Sequence, residues 1–389
     1  MNINTAMPAA CIRRFAISLI FFLAVFGSFQ AAQAAPPSDA VQAASATAMK
    51  LIRFGADPKI PFDVQAAGAL VDYVLAAKPG REAALPNVNK APGAYYEHDT
   101  KIGFAGFVQY SYTSQIPSIL TSPSSLRYSL WSTQQGKLQK LPVNWPAAAP
   151  SGKPMVVRGM QRDGITPDLN TGIYYEYDLK RTLVLFNHKG RQVLLTISNQ
   201  ADVSEVGKKG FILGSDEDWN YYYSGEPGSA RTGLGWVKSY IYDYFSVGVY
   251  VENGATVRSG TFQWIRAGWN GVNFVQTEHI IRGFKRHAVN SKTILESPNL
   301  PPPGRISAVY LRLAQLPPAE LMEKYAALEQ ARLNLAVQSG KVDADKSKKP
   351  SFANGIPKEQ MVDELMLEYW KIALGKPSLL SRQIVLGMN

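Results

Sequence analysis

Residues 236–254 read WVKSYIYDYFSVGVYVENG, and the period of two in this stretch decides the fold. Val237, Ile241, Phe245, Val247, Val249 and Val251 fall on one side of an extended chain, and Tyr240, Tyr242, Tyr244 and Tyr250 on the other, because successive side chains alternate across a strand. Asn253-Gly254 tolerates positive φ and turns the chain back toward Thr261–Arg266. Asn270-Gly271 predicts a second reversal, toward a strand over Val272–Ile281. Upstream, Thr182–Asn187 and Arg191–Ser198 flank His188-Lys189-Gly190, which reads as a three-residue hairpin loop with Gly190 left-handed.

Working outward, the same alternation runs from about residue 102 to 313 and predicts an antiparallel meander that closes as a sandwich or a barrel-like sheet to bury one face. The proline-rich turn Ser297–Gly304 precedes a last expected strand, Ile306–Leu313. Helical spacing appears on both flanks. Val64, Ala67, Val71, Val74 and Leu75 predict a short helix over 63–77 capped by Asp63. Pro317-Pro318 opens a helix with Leu321, Tyr325, Leu328, Ala331 and Leu335 inward, and a second from Pro357 turns Met361, Leu365, Tyr369 and Ile372 inward. The expected class is mainly antiparallel β with a short N-terminal helix and two C-terminal helices, α+β overall. A transmembrane β-barrel fits poorly, given the helical last fifth and Lys238 and Asp243 on opposite sides of the best strand.

The N-terminus has the order of a secretory signal: Arg13-Arg14 with no acidic residue, the apolar run Phe15–Phe29, then Ala32-Gln33-Ala34. Cleavage is expected after Ala34, by the general secretory route, since Phe15 follows the arginine pair directly. The alternative is an uncleaved membrane anchor over 15–35. Residues 35–49, rich in Ala, Ser, Pro and Gln, read as a flexible leader. The expected organisation is therefore 1–34 signal peptide, 35–49 leader, 50–313 β-rich core with one N-terminal helix, and 314–389 helical extension. The single cysteine, Cys11, lies in the signal. The processed chain thus has no means of forming a disulfide or thiolate site, and the periplasm is the expected compartment.

The formal charge is +11, falling to +9 when Arg13 and Arg14 leave. A basic surface attracts anionic lipid headgroups or acidic polymers without selecting among them. Nucleic acid is not an expected partner, because no basic-aromatic fingerprint is present. No cofactor motif is present either. Asp216, Glu217 and Asp218 beside Trp219 are a weak candidate for hard oxygen ligation of a metal, but their spacing is not that of a calcium loop, and a solvated acidic loop is the ordinary reading. His98, His188, His279 and His287 match no zinc spacing, and no serine nucleophile elbow occurs.

The candidate binding surface is the tyrosine stripe Tyr240, Tyr242, Tyr244 and Tyr250 with Trp219, and with Trp264 and Trp269 just beyond, since aromatic rings join a large apolar area to a polar tip. The ordinary reading, placed ahead of binding because aromatics are common strand residues, makes these rings a second core layer or a sheet covering. The chain is expected to be an envelope-associated, non-enzymatic binding protein for an apolar, glycan or protein ligand, with peripheral association to an anionic membrane surface. The rival is an envelope hydrolase acting on glycan or lipid through the 216–218 carboxylates or His279.

Overall fold

The computed structural model describes residues 38–132, 140–146, 152–228, 231–232, 235–343 and 355–386. The signal expected over 1–34 and most of the loop expected over 341–355 lie outside them. The chain begins with helices α1 (Asp39–Ala56) and α2 (Val64–Leu75), strands β1 (Glu82–Val88) and β2 (Ala91–Thr100), and helix α3 (Phe104–Ser111). Strands β3 (Leu126–Ser132), β4 (Met155–Ile165), β5 (Ile173–Tyr174), β6 (Glu176–His188), β7 (Arg191–Gln200), β8 (Lys208–Ile212) and β9 (Tyr221–Pro227) follow. Next come β10 (Arg231–Thr232), β11 (Gly235–Trp236), β12 (Tyr240–Asn253), β13 (Thr256–Trp269) and β14 (Val272–Asn273). Helices close the chain: α4 (Thr277–Leu295), α5 (Pro303–Gln315), α6 (Pro318–Gln338), α7 (Lys358–Ala373) and α8 (Arg382–Leu386).

The class is α+β with antiparallel sheets. The main sheet is nine-stranded, ordered β1-β2-β13-β12-β7-β6-β4-β3 with β14 beside β13. It is open, with β1 and β3 at its edges. Its centre is the β12–β13 hairpin, paired from Asn253↔Thr256 out to Tyr240↔Gly268. The β6–β7 hairpin closes at His188↔Arg191, so its loop is the pair Lys189-Gly190, both at positive φ, one residue shorter than expected. Strands β6 and β7 are buried on both sides. In β7, Val193, Leu195 and Ile197 face one core and Leu194 the other; in β6, Val184 and Phe186 alternate in the same way with Leu183 and Leu185.

Helices α1 and α2 cover one face. Leu51, Ile52, Phe54, Leu70, Val71 and Val74 pack on Val247, Val249, Val251, Phe262 and Trp264. Asp63 caps α2 as expected, accepting the Ala66 amide at 2.9 Å. Residues 39–49, expected as a flexible leader, instead lie in α1. Alanine is the strongest helix former, and the small side chains of Ala44 and Ala48, buried with Leu51, let the helix approach the sheet. The backbone carbonyls at the end of α1 are satisfied by the sheet: Asn199 Nδ2 donates to Ile52 at 3.3 Å, and Arg158 donates to Phe54 at 3.0 Å.

The opposite face is buried by α3, the end of α4, α5, α6 and α7, together with rings from the small sheet of β5, β8 and β9. Two expected strands are helices. Val272–Ile281 yields only the short β14, after which Gln276 and His279 cap α4 and its buried residues Ile280, Ala288, Ser291 and Ile294 recur at helical spacing. Ile306–Leu313 lies in α5, where Pro303 starts the helix and Ile306 and Leu313, two turns apart, are its buried pair. Short apolar runs do not by themselves separate strand from helix. The C-terminal helices share one core with the sheet instead of extending from it. Among the described residues no helix is long and apolar enough to cross a membrane.

Docking of α1 is directly testable. Leu51 is fully buried, so Leu51→Ala is expected to lower stability by about 2–5 kcal/mol in urea unfolding. The α1 amides are expected to be protected in hydrogen exchange; exchange at free-chain rates would contradict the packed helix.

Candidate functional site

The tyrosine stripe divides. A β-bulge between Ile241 and Asp243 inserts Tyr242 as an extra residue and reverses the strand's parity. Ile241 consequently packs with Tyr244, Tyr177 and Ile265, not on the Phe245 face as alternation alone implies. Tyr244 packs on Tyr177 with centroids 5.8 Å apart, and burial pushes its hydroxyl pKa up. Tyr250 packs on Phe107 at 4.9 Å and Tyr112 at 5.6 Å. These two rings are core. Trp264 is fully buried, its indole N–H donating to the Pro86 carbonyl at 2.9 Å. Trp219 is also buried, with its indole N–H on Asn290 Oδ1 at 2.5 Å. Neither tryptophan presents a surface to a ligand.

Tyr240 and Tyr242 remain half-buried, 6.1 Å apart, at the end of the β12–β13 hairpin. The Arg266 guanidinium lies over the Tyr242 ring at 4.9 Å and pairs with Asp243. A shallow groove of about 190 Å³ runs beside them, lined by residues 199–203 and Tyr242–Phe245. The Tyr242 hydroxyl accepts the Gly271 amide at 2.9 Å and so clamps the next turn.

That turn carries the exposed aromatic surface, made of Trp269, expected beside the stripe, and of Phe274, which is not among the expected residues. Asn270 and Gly271 both take positive φ, and Trp269 pairs with Val272 across them. Trp269 and Phe274 stack with centroids 4.0 Å apart, yet are 39% and 45% exposed, and Val272 between them is 52% exposed. The tip is held tightly. The Phe274 amide donates to the Ala267 carbonyl at 2.9 Å, and the Asn273 side chain accepts from Ala267 at 3.1 Å and donates to Val275 at 2.9 Å. A Cβ at Gly268 would lie 2.0 Å from the Val272 carbonyl oxygen and 2.6 Å from the Phe274 ring, so only glycine fits beneath the stack. Asn270-Gly271 signals the turn in the sequence, and Trp269 belongs there to the expected aromatic surface; nothing there singles out Phe274 as its uncovered partner.

The acidic run is a short 3₁₀ turn over Asp216–Asp218. Asp216 takes both nitrogens of the Arg286 fork and the Tyr221 hydroxyl at 2.8 Å. The Ser215 hydroxyl accepts the Glu217 amide, and Lys376 donates to the Glu217 carbonyl at 2.8 Å. No cluster of three metal-ligating side chains occurs among the described residues. His279 accepts the Gln276 amide at 3.3 Å as part of the α4 cap. Of the groups that a hydrolase would use, the Asp216 carboxylate and the His279 ring are engaged in holding α4.

A group of charged side chains is buried around α7. Glu364 accepts from Arg127 at 2.9 Å, Gln360 at 2.9 Å and Tyr325 at 3.1 Å, and pairs with Arg332, which also meets Glu329 at 2.6 Å. Burial alone would push the Glu364 carboxyl up, but Arg127 and Arg332 hold it below its ordinary value. Its neighbour Asp363 has only the Ser129 amide, at 3.2 Å. Burial pushes Asp363 up to about 8, so at neutral pH it carries its proton. Nothing in this cluster is open to solvent, and its role is to hold helices to the sheet.

No family model matches the chain, and no match was found among curated proteins or among solved structures.

Two outcomes are expected of the cluster. Glu364→Ala strands the buried Arg127 guanidinium, leaves Arg332 with Glu329 alone, and is expected to cost about 3–5 kcal/mol in denaturant unfolding. Asp363 binds its proton more tightly folded, at about 8, than unfolded, near 3.8. Its contribution is therefore fully present below about pH 4 and is lost as pH rises through 8. Burial lowers His98 to about 3 and His287 to about 4, and these give the opposite slope below pH 6.5, common to both proteins. The thermal midpoint of Asp363→Asn minus that of the unmodified protein is expected to grow from pH 4 to pH 8. A flat difference would contradict a protonated Asp363.

Proposed function

We propose that this protein is an exported, envelope-associated binding protein, not a catalyst, which associates peripherally with an anionic membrane surface through the Trp269–Phe274 tip. The observation that carries the reading is the stacked, solvent-exposed pair with Val272, fixed on a clamped turn. Large apolar side chains left in water forgo about 1.5–3 kcal/mol each relative to burial. A rigid tip recovers that free energy in the lipid interface without an ordering cost, and tryptophan suits the boundary between headgroups and acyl chains.

Charge favours anionic lipid over a neutral surface. The chain is +11 overall and +9 once Arg13 and Arg14 leave with the signal. Lys238 is exposed two residues before Tyr240, which pairs with Gly268 at the base of the tip, and Arg282 is exposed on the helix that follows. Each cation close to an anionic leaflet contributes about 1 kcal/mol. The signal-like order of residues 13–34 supports export.

The test is sedimentation of the full chain with vesicles of phosphatidylglycerol and phosphatidylethanolamine, against vesicles of phosphatidylcholine alone. Binding to the anionic vesicles is expected to weaken at high salt and to fall about tenfold or more in Trp269→Ser/Phe274→Ser. Equal binding by that variant, or equal binding to both vesicle types, would refute the membrane reading. Mass spectrometry of the protein recovered from cells is expected to show a chain starting at Ala35; a retained N-terminus would refute processing.

A further inference from the structure

A second feature lies away from the aromatic tip, where α5, α7 and α8 meet the proline-rich segment 298–302. It is an open-sided cavity of about 340 Å³, within the range of about 300–1,000 Å³ in which proteins hold small molecules. One wall is stiff. Pro298, Pro301 and Pro302 fix their own φ angles, the Leu300 amide donates to the Ser297 carbonyl at 3.1 Å, and the Tyr110 hydroxyl donates to the Pro301 carbonyl at 2.9 Å. Ile372 and Ala373 of α7 form the facing apolar wall. The space is preformed and does not require ordering on binding.

Its charged groups are of one sign, beside the neutral Asn299 and Tyr369. Arg305, on the first turn of α5, and Arg382, at the start of α8, line the cavity, and no carboxylate does. Neither arginine forms an ion pair with a carboxylate among the described residues. Elsewhere the arginines Arg127, Arg162, Arg258, Arg266, Arg286 and Arg332 are each matched to Asp or Glu. Pro302, at the positive end of α5, borders the same space. At the floor is Tyr369, only 3% exposed, whose buried hydroxyl is approached by the Arg305 guanidinium but donates to no acceptor among the described residues. Burial raises its pKa against the opposing charges of Arg305, Arg382 and Arg312, so at neutral pH it is a donor. A buried donor without an acceptor is costly and uncommon in folded proteins.

We propose that this cavity binds an amphiphilic anion: a phosphate or carboxylate group held by Arg305, Arg382 and the Tyr369 hydroxyl, carried on an apolar body lying between the prolines and Ile372. Two guanidinium forks and a hydroxyl suit an oxyanion with several acceptor oxygens. The apolar walls add contact that a small hydrated ion leaves unused. The inference is independent of the membrane reading, since it uses none of the residues of the Trp269–Phe274 tip.

The experiment is isothermal titration of the full chain with octyl phosphate below its micellar concentration, beside inorganic phosphate and the neutral octyl glucoside. Octyl phosphate is expected to bind one to one, at least tenfold tighter than either control. Arg305→Gln/Arg382→Gln, which alters exposed side chains, is expected to lose at least tenfold in affinity with an unchanged thermal midpoint. Tyr369→Phe is expected to lose severalfold. Octyl glucoside binding as well as octyl phosphate, or an unaltered affinity in the arginine variant, would overturn the anion site. Inorganic phosphate binding as tightly as octyl phosphate would overturn the amphiphilic part and assign the site to the free ion.

Discussion

The Glu364 carboxylate is the point at which three distant parts of the chain are joined. Arg127 reaches it from β3, Arg332 and Tyr325 from α6, and Gln360 from its own helix. Taking charges out of water is expensive, and the cost is offset only where every lone pair and proton finds a partner. Here the surrounding rings complete the enclosure: the Arg127 guanidinium lies 4.0 Å from the Tyr223 ring centroid, and that of Arg332 at 5.5 Å. Farther along α7, the buried Lys371 ammonium donates to Asn220 at 2.7 Å and pairs with Glu368. The helix is thus bound by directional contacts on several sides, and its position relative to β3, α6 and the start of β9 is specified more narrowly than apolar packing alone would require.

That constraint determines where the surfaces of the molecule can be open. With both faces of the central strands covered, little apolar area on the sheet is left for a ligand. What remains accessible lies at the periphery, on the β13–β14 turn and in the cavity beside the end of α7. Both are stiffened from behind: the turn by Tyr242 and Asn273, the cavity by Tyr110 and the prolines. Free energy left unrealised in the fold, in uncovered rings at one place and a hydroxyl proton without an acceptor at the other, is what a partner would recover.

The tyrosine stripe illustrates why some readings transfer to three dimensions and others do not. Alternation locates β12 and its hairpin, because the period of two follows from backbone geometry. It cannot reveal that one inserted residue at Tyr242 reverses the parity of everything before it, nor that both sides of the strand are covered. Tyr244, Tyr250, Trp219 and Trp264 therefore become core, whereas Trp269, at the edge of the expected surface, and Phe274, just past it, are exposed. The acidic run shows the same limit, since Asp216 is matched by Arg286, a partner seventy residues away that no local pattern indicates.

Local chemistry by itself determined the central hairpin, the Asp63-capped helix, the two helices beginning near Pro318 and Pro357, and the positions of the Asn-Gly turns, because each depends on dihedral preferences and periodicities that act over a few residues. Only the tertiary structure decided that 39–56 docks as a helix, that 277–295 and 303–315 are helical, that charged residues of α7 are interior, and which aromatic rings face water. Those outcomes depend on what lies across from a residue after folding. Helix-forming alanines, short apolar runs and isolated charges carry no record of that neighbour until the sheet and its helices bring the partners together.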